Sequence, residues 1–294
     1  MPHEAKHTAS QAAKQMIDTQ RQDWNRVAPA WDKWDRRLDE NMAFVNFRLI
    51  ADARLRPGQR VLDLGSGTGY PALLAAQAVG RGGGVVGLDL AEEMLAVARR
   101  KAASRGVSNV TFQAADITTL PFEPASFDAV ISRFCLMFLP EIPTALAEIA
   151  RVLKPAGYLA AAVWSAPENN PFITIPMNVL KSYLALPPPD PEQPGIFRLA
   201  KEGDLAGMAK RAGLMILADE ELTGESFYES ADEYYDSLME MAAPIQPLFA
   251  RLSAGDNARA EAEIKREVER YRVSKGGKGV ALPMAIRIVA ARKP

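Results

Sequence analysis

Residues 61–70 read Val61-Leu62-Asp63-Leu64-Gly65-Ser66-Gly67-Thr68-Gly69-Tyr70, and Pro71 follows. An apolar run closes on an acid and a glycine loop, and the pattern then turns helical. The first helical turn tolerates proline because its N–H would have no partner there. Three glycines in five positions let the backbone turn sharply and approach a ligand with no Cβ in the way. The helix behind the loop offers free N–H groups and the positive end of its dipole, which suits a carboxylate. The spacing is G-x-G-x-G. Tyr70 stands where the dinucleotide fingerprint G-x-G-x-x-G wants its third glycine, so a dehydrogenase reading fails on spacing. Asp63, two residues before the first glycine, would repel a pyrophosphate but tolerates an ammonium or a sulfonium.

Working outward, short apolar runs alternate with helical stretches. Runs at 60–64, 85–90, 110–114, 127–132 and 157–164 are separated by helix patterns at 71–79, 91–105 and 143–153. Such alternation predicts a parallel sheet with right-handed crossovers, an α/β doubly wound, Rossmann-like fold. A helix at 204–212, a strand at 214–218 and a terminal strand at 284–291 would complete a seven-stranded, mostly parallel sheet. Asp89 closes the second run, 20 residues past Gly69, where a carboxylate can accept hydrogen bonds from a ribose diol. Asp116 closes the third, placed to accept from an adenine amino group while the Ile117 N–H meets a ring nitrogen. Any one of these acids could be a helix cap. Three in order at the carboxyl edge of one sheet mark a ligand site.

Residues 60–164 resemble the core of a class I S-adenosylmethionine-dependent methyltransferase. The motifs carrying the resemblance are 61–69, Leu88-Asp89, Ala115-Asp116-Ile117, Phe127-Asp128-Ala129-Val130 and Leu153-Lys154-Pro155-Ala156-Gly157. The segment from Arg151 to Leu159 is similar in particular to the ubiquinone/menaquinone-biosynthesis (methyltransferase type 11) group and its secondary-metabolite relatives. The resemblance implies S-adenosyl-L-methionine as cofactor. It implies a cofactor site of Asp63, Gly65, Gly67, Gly69, Asp89, Leu90, Met94, Ala115, Asp116, Ile117, Ser132 and Arg133. In that site Gly65 and Gly67 would touch the methionine part, and Ser132 and Arg133 would flank the methyl group.

The rest of the chain reads as cover. Residues 1–20 are polar and Gln/Ala-rich, and 21–55 carry Trp24, Val27, Trp31, Trp34, Leu38, Phe44, Phe47, Leu49 and Ile50 at the spacing of two amphipathic helices. The expected organisation is an N-terminal helical arm or lid (1–55), the cofactor core (56–166) and a Pro-rich insert (167–200). A core helix and strand (201–224), a helical insert (225–280) and the terminal core strand (281–294) follow. Irregular connections this long belong to lids more than to turns. Trp24 and Trp31 share a helical face and either pack in the core or cap the pocket. Met137 and Phe138, after the fourth strand, and Phe172 and Met177 in the first insert suggest an apolar wall for an aromatic or isoprenoid-like acceptor, and the resemblance implies a quinone-like or secondary-metabolite substrate.

Methyl transfer from a sulfonium is an in-line displacement that depends chiefly on alignment. No catalytic residue is assignable from the sequence. The only histidines, His3 and His7, lie in the arm, so a histidine base is not expected. Tyr70, Tyr183, Tyr228, Tyr234, Tyr235, Asp232 and Glu233 are unranked lid contributors. The expected reaction is O- or C-methylation of a small molecule. N-methylation of an amine or lipid headgroup, and a SAM-binding protein repurposed for non-methylating chemistry, stay open as alternatives. Cys135 is the single cysteine; it excludes a disulfide framework, a multi-cysteine metal site and the several thiols of an arsenite-type enzyme, and reads as a buried, inert thiol. The formal charge of −1, with 24% charged residues and no basic face, argues against nucleic acid. With no signal core and no membrane-length apolar stretch, a cytoplasmic protein is expected, with no metal and a homodimer as the assembly to consider.

Overall fold

The computed structural model describes the backbone of residues 2–188, 190, 193–273 and 278–294, with side chains from residue 14 onward. The side chains of His3 and His7, and Pro189 and Pro191 of the first insert, lie outside the described residues.

The centre is a seven-stranded sheet: β1 (Arg60–Leu64), β2 (Gly84–Asp89), β3 (Val110–Ala114), β4 (Phe127–Arg133), β5 (Leu153–Trp164), β6 (Met215–Tyr228) and β7 (Val280–Arg292). Their spatial order is β3-β2-β1-β4-β5-β7-β6. The first five run parallel, and β7 is antiparallel to both β5 and β6. β1 is apolar on both faces because both are covered: Val61, Leu62 and Leu64 are fully buried, as is Asp63 between them. The chain leaves β1 towards β2 and β3, then returns to the other side of β1 as β4. That reversal opens a crevice at the carboxyl ends of β1 and β4. Leu64 pairs with Ser132 there, so the glycine loop and Arg133 emerge side by side.

The crossover helices are α3 (Tyr70–Val79), α4 (Glu92–Ser104) and α5 (Ile142–Val152) among the core strands, with α7 (Asp204–Arg211) before β6. The cover is built from α1 (Pro2–Lys33), α2 (Asp35–Asp52), α6 (Pro171–Lys181), α8 (Ala231–Met241), the short α9 (Gln246–Phe249) and α10 (Ala254–Val268). Ser230 and Ser253 begin α8 and α10 as side-chain caps, accepting from the Glu233 and Asp256 N–H groups.

The N-terminal arm is helical: α1 runs from Pro2 to Lys33 and breaks only at Trp34. Two expectations about the strands are corrected. The sixth strand, expected at 214–218, continues to Tyr228, and the last begins at Val280 rather than 284. The acids on β6 hid this strand. It lies at the sheet edge, where Glu220 and Glu225 are exposed, Asp219 pairs with Arg287 and Glu221 accepts from the Ser165 hydroxyl, so four acids interrupt the apolar signal without interrupting the ladder with β7. Consequently residues 225–228, placed in the helical insert by sequence, belong to the sheet.

The inserts have a core of their own. Val179 and Leu180 of α6, Tyr234 of α8, Phe249 of α9 and Ile264 and Val268 of α10 pack together with Tyr228 and Leu282. α1 and the first residue of α2 are tied across α4. Asp35 pairs with Lys101, which is only 7% exposed, Asp32 pairs with Arg100, and Asn25 accepts from the Glu93 N–H. No described helix is long and apolar enough to cross a membrane.

Candidate functional site

The glycine loop is held by Asp89. Its Oδ2 accepts from the Gly67 N–H at 2.9 Å and its Oδ1 from the Ala91 N–H at 2.9 Å. The Ser66 N–H reaches the Leu88 carbonyl at 2.8 Å. Thus the end of β2 clamps the loop that leaves β1. The Leu90 N–H also turns towards this carboxylate, whose two oxygens still leave acceptor capacity for a ligand hydroxyl. Burial raises the Asp89 carboxyl above its ordinary range, opposed by the N–H groups it accepts.

Gly65 and Gly67 both have positive φ, 68° and 51°, yet they do different jobs. A Cβ on Gly65 would collide with Cys135, so that glycine allows β1 and β4 to converge. A Cβ on Gly67 would meet no protein atom within 4 Å, and Gly67 faces the cavity. Gly67 is therefore a cradle with nothing of the chain itself filling it. Burial pushes the Cys135 thiol up, which keeps it protonated and unreactive.

Asp63 lies behind the loop, fully buried, with neither oxygen given a full hydrogen bond. Burial raises its carboxyl to about 7, while the charge of Arg133 and the facing Ala72 N–H pull it down. Since the folded value exceeds the unfolded one, Asp63 favours folding at low pH, and that contribution fades as pH rises towards 7. Arg133 is lowered by burial and supported by Asp63 and Asp39; its Nη1 donates to Asn46 Oδ1 at 2.8 Å. Phe134, next in the chain, sits at φ 55°, an uncommon conformation for an aromatic residue, and stacks on Trp164 with centroids 4.1 Å apart.

These groups open into one cavity of about 300 Å³, within the range of small-molecule sites. Of the residues expected to bind cofactor, Gly65, Gly67, Asp89, Leu90, Met94, Asp116, Ile117 and Arg133 line it. Asp63, Gly69, Ala115 and Ser132 do not line it. Gly69 is the N-cap of α3, close against Ala98, and the Ser132 hydroxyl donates to the Leu64 carbonyl at 3.1 Å, joining β4 to β1. Of the expected acceptor wall, Trp24, Trp31, Phe138 and Phe172 line the cavity, whereas Met137 is fully buried in the main core. Met137 sits in the 3-10 turn Leu136–Phe138, where consecutive side chains point to different sides.

The cavity has two characters. On the sheet side, Asp116 Oδ1 accepts from the Thr118 N–H and hydroxyl, leaving Oδ2 free to accept from a ligand; Leu90, Met94 and Ile117 give flat apolar surface beside it. Trp24 and Trp31 roof this half, packing with Ala91 and Met94, and Trp31 Nε1 donates to the Met241 carbonyl at 3.2 Å. Trp24 meets both Trp31 and Phe138 edge-on. The far half is walled by Phe134, Trp164, Phe172, Ile173, Leu238 and Met241. Its polar groups are Asn41, Ser226, Tyr228, Tyr234 and Ser237. Among described lining residues the only charges are Asp89, Asp116 and Arg133. Sequence reasoning missed Thr118, Asn41, Ser226 and Ser237 and left Tyr228 and Tyr234 unranked. Thr118 was findable as an Asx-turn partner two residues after Asp116; the others had no local signal.

An S-adenosylmethionine molecule fits this donor set. The cradle at Gly67, the open lone pairs of Asp89 and Asp116, and the apolar shelf between them match an amino-acid tail, a ribose diol and an adenine in sequence along one wall.

Comparison with known proteins gives the same direction. The family described as methyltransferase domain matches residues 61–157. A demethylmenaquinone methyltransferase of Thermus thermophilus is 37% identical over 150 residues, covering 51% of this chain and 67% of that protein. One of Symbiobacterium thermophilum is 37% identical over 131 residues, 44% of this chain and 48% of that protein. The chain spans about half the length of several curated relatives it matches. A solved putative methyltransferase of Bacillus halodurans superposes with a TM-score of 0.56 at 24% identity, over 85% of this chain and 98% of that one, a likeness of fold.

Proposed function

The chain belongs to the class I S-adenosylmethionine-dependent methyltransferases, and on that premise we propose that it methylates an oxygen or carbon of a small, largely apolar acceptor, aromatic or quinone-like in character. The observation that carries this reading is the two-part cavity, in which the cofactor wall opens directly into an aromatic chamber without carboxylates of its own. An amine acceptor would arrive as a cation and want a carboxylate or an anionic rim; the far half supplies neither.

S-Adenosylmethionine supplies an electrophilic methyl on a sulfonium. Asp89 would accept from the ribose hydroxyls. Asp116 Oδ2 and the Ile117 N–H would hold the adenine, and the Gly65–Gly67 backbone would admit the methionyl part. Trp24 and Trp31 roof this half and would exclude water, and Phe134 and Trp164 give a flat surface for the acceptor ring. No lining residue among those described is a histidine, and burial holds Tyr228 and Tyr234 in their protonated forms. The chain therefore acts by positioning, with Arg133 favouring the ionised form of an acidic acceptor hydroxyl at the end of β4.

Purified protein, S-adenosylmethionine and a panel of phenols, reduced naphthoquinones and amines test this, with S-adenosylhomocysteine release as readout. Release with the phenolic or quinol members is expected. Release with amines alone would sink the oxygen-or-carbon assignment, and cofactor binding without release on any acceptor would favour non-methylating chemistry.

The segments at 167–188 and 229–273, with α1, act as a lid over both halves. α6, α8 and α1 all contribute lining residues, while α10 only buttresses them. Their amides should exchange faster than those of β1 and β4, and slow markedly with S-adenosylhomocysteine plus 1-naphthol. Equal protection of α1, α6 and α8 with and without ligand would remove the lid role.

A further inference from the structure

Arg133 brings a desolvated positive charge to the cavity and leaves most of its hydrogen-bonding capacity unspent. Its Nη1 donates to Asn46 Oδ1 at 2.8 Å, and Asn46, on α2, is itself only 3% exposed. Among the described residues no carboxylate forms an ion pair with it; Asp63 and Asp39 support its charge only from a distance. A guanidinium is a fixed fork of N–H donors, and one bond to an amide oxygen leaves the rest available. Its other nitrogens are not sealed inside the chain without a partner, as Arg37 Nε, Arg287 Nε and Arg292 Nε are. They keep accessible surface, and the cavity is what Arg133 lines.

The backbone sets this fork beside an aromatic face. Successive strand residues point to opposite sides. Arg133 and Phe134 nevertheless both line the cavity, because the chain leaves β4 at Phe134 with its φ of 55°. Phe134 then stacks on Trp164 with the rings 2° from parallel. Asp89 and Asp116 lie at and just past the ends of β2 and β3, on the other side of β1 from β4. On the β4 side Arg133 is therefore the only charge among the described lining residues. A cation in a low-dielectric space is unfavourable until an anion meets it. The sulfonium of the cofactor adds a second positive charge to the same cavity and so raises that demand. The cofactor's amino-acid tail has the Gly67 cradle and the start of α3 to meet it.

We propose that Arg133, held by Asn46, is an oxyanion subsite of the acceptor chamber, so that the preferred acceptor is an aromatic molecule bearing a carboxylate or an acidic hydroxyl. This rests on the far half being the acceptor chamber. It narrows the acceptor from a small apolar ring to a ring with a negative charge at one edge. Phe134 and Trp164 select the ring, and Arg133 selects the charge. Asn46 is a positioning residue: it occupies Nη1 from α2 and leaves the remaining donors to the ligand. A neutral ring of the same outline fills the chamber but leaves the cation unanswered.

The test is calorimetric titration of 2-naphthoate and of 2-naphthamide, at neutral pH, into the protein saturated with S-adenosylhomocysteine. The two probes share a ring and an outline and differ in charge. Wild type should bind the naphthoate at least about tenfold more tightly, the worth of one charge-assisted hydrogen bond. Arg133→Gln should bring the two affinities to within about twofold by weakening the naphthoate alone. Asn46→Ala keeps the charge but frees the fork, so the preference should fall to about threefold. That variant, with the wild-type comparison, carries the test if Arg133→Gln does not fold; a full preference retained there would remove Asn46 from the subsite. A merely structural role for Arg133 would weaken both probes alike and would overturn the proposal. Equal affinity of wild type for the two probes, or tighter binding of the amide, would overturn it while leaving the enzyme assignment intact. So would an Arg133→Gln protein that keeps its preference for naphthoate but loses S-adenosylhomocysteine, a result that gives Arg133 to the cofactor's carboxylate. Wild type that binds S-adenosylhomocysteine but neither probe would remove the acceptor chamber and the subsite with it. Failure of wild type to bind S-adenosylhomocysteine at the start would instead overturn the assignment beneath them.

Discussion

Gly67→Val should leave the protein folded and abolish S-adenosylmethionine binding. At Gly65 the opposite failure is expected, because a Cβ there collides with Cys135 and separates β4 from β1. Around Gly67 there is open cavity on the side where a Cβ would point, so an added isopropyl group occupies the space of the ligand rather than of the chain. The φ of 51° adds strain for a β-branched residue, about 1–3 kcal/mol, which a well-packed domain of this size tolerates. Two measurements settle it together. The far-ultraviolet circular dichroism and cooperative melting of the variant should be those of a folded protein, and calorimetry should detect no heat of binding. A folded Gly67→Val protein that binds with unchanged affinity would make the loop purely structural and would remove Gly67 from the site.

Asp89→Ala should weaken S-adenosylmethionine at least about a hundredfold. Two charge-assisted hydrogen bonds from the ribose would be lost, each worth roughly 1.5–3 kcal/mol. The same carboxylate holds the Gly67 and Ala91 N–H groups, so the loop loses its clamp as well, which adds to the loss. Stability moves less than affinity, because removing Asp89 also relieves a buried charge that burial penalises. Asp89→Asn separates the two contributions: it retains an acceptor for one backbone N–H but carries no charge, and an intermediate affinity is expected. Calorimetric titration of the three proteins against S-adenosylmethionine checks this ordering. An alanine variant with wild-type affinity would take the ribose role away from Asp89.

The cofactor half was legible because each of its signals is local. A buried strand, a glycine loop and a helix start are written within ten residues, and Asp89 and Asp116 recur at the ends of the next two strands, since a parallel sheet brings every carboxyl end to one edge. The same locality explains the four residues that stand behind the wall. Asp63, Gly69, Ala115 and Ser132 belong to the motifs, but motif membership does not say which side chain of a strand end turns inward. Met137 shows the same limit within a single 3-10 turn, where it faces the core and Phe138 the cavity.

What the sequence by itself determined is therefore the α/β sheet, the position of the cofactor wall and the glycines that form it, because short-range periodicity and turn chemistry specify those without reference to distant residues. What only the tertiary structure decided is the acceptor chamber. β6 had to be followed past its acidic positions to reach Ser226 and Tyr228, and its pairing with β7 extends it there. Asn41 comes from α2, 185 residues before Ser226, and Ser237 from α8. These groups meet only once α2, α8 and the extended strand have packed together, and no stretch of chain carries that neighbourhood alone.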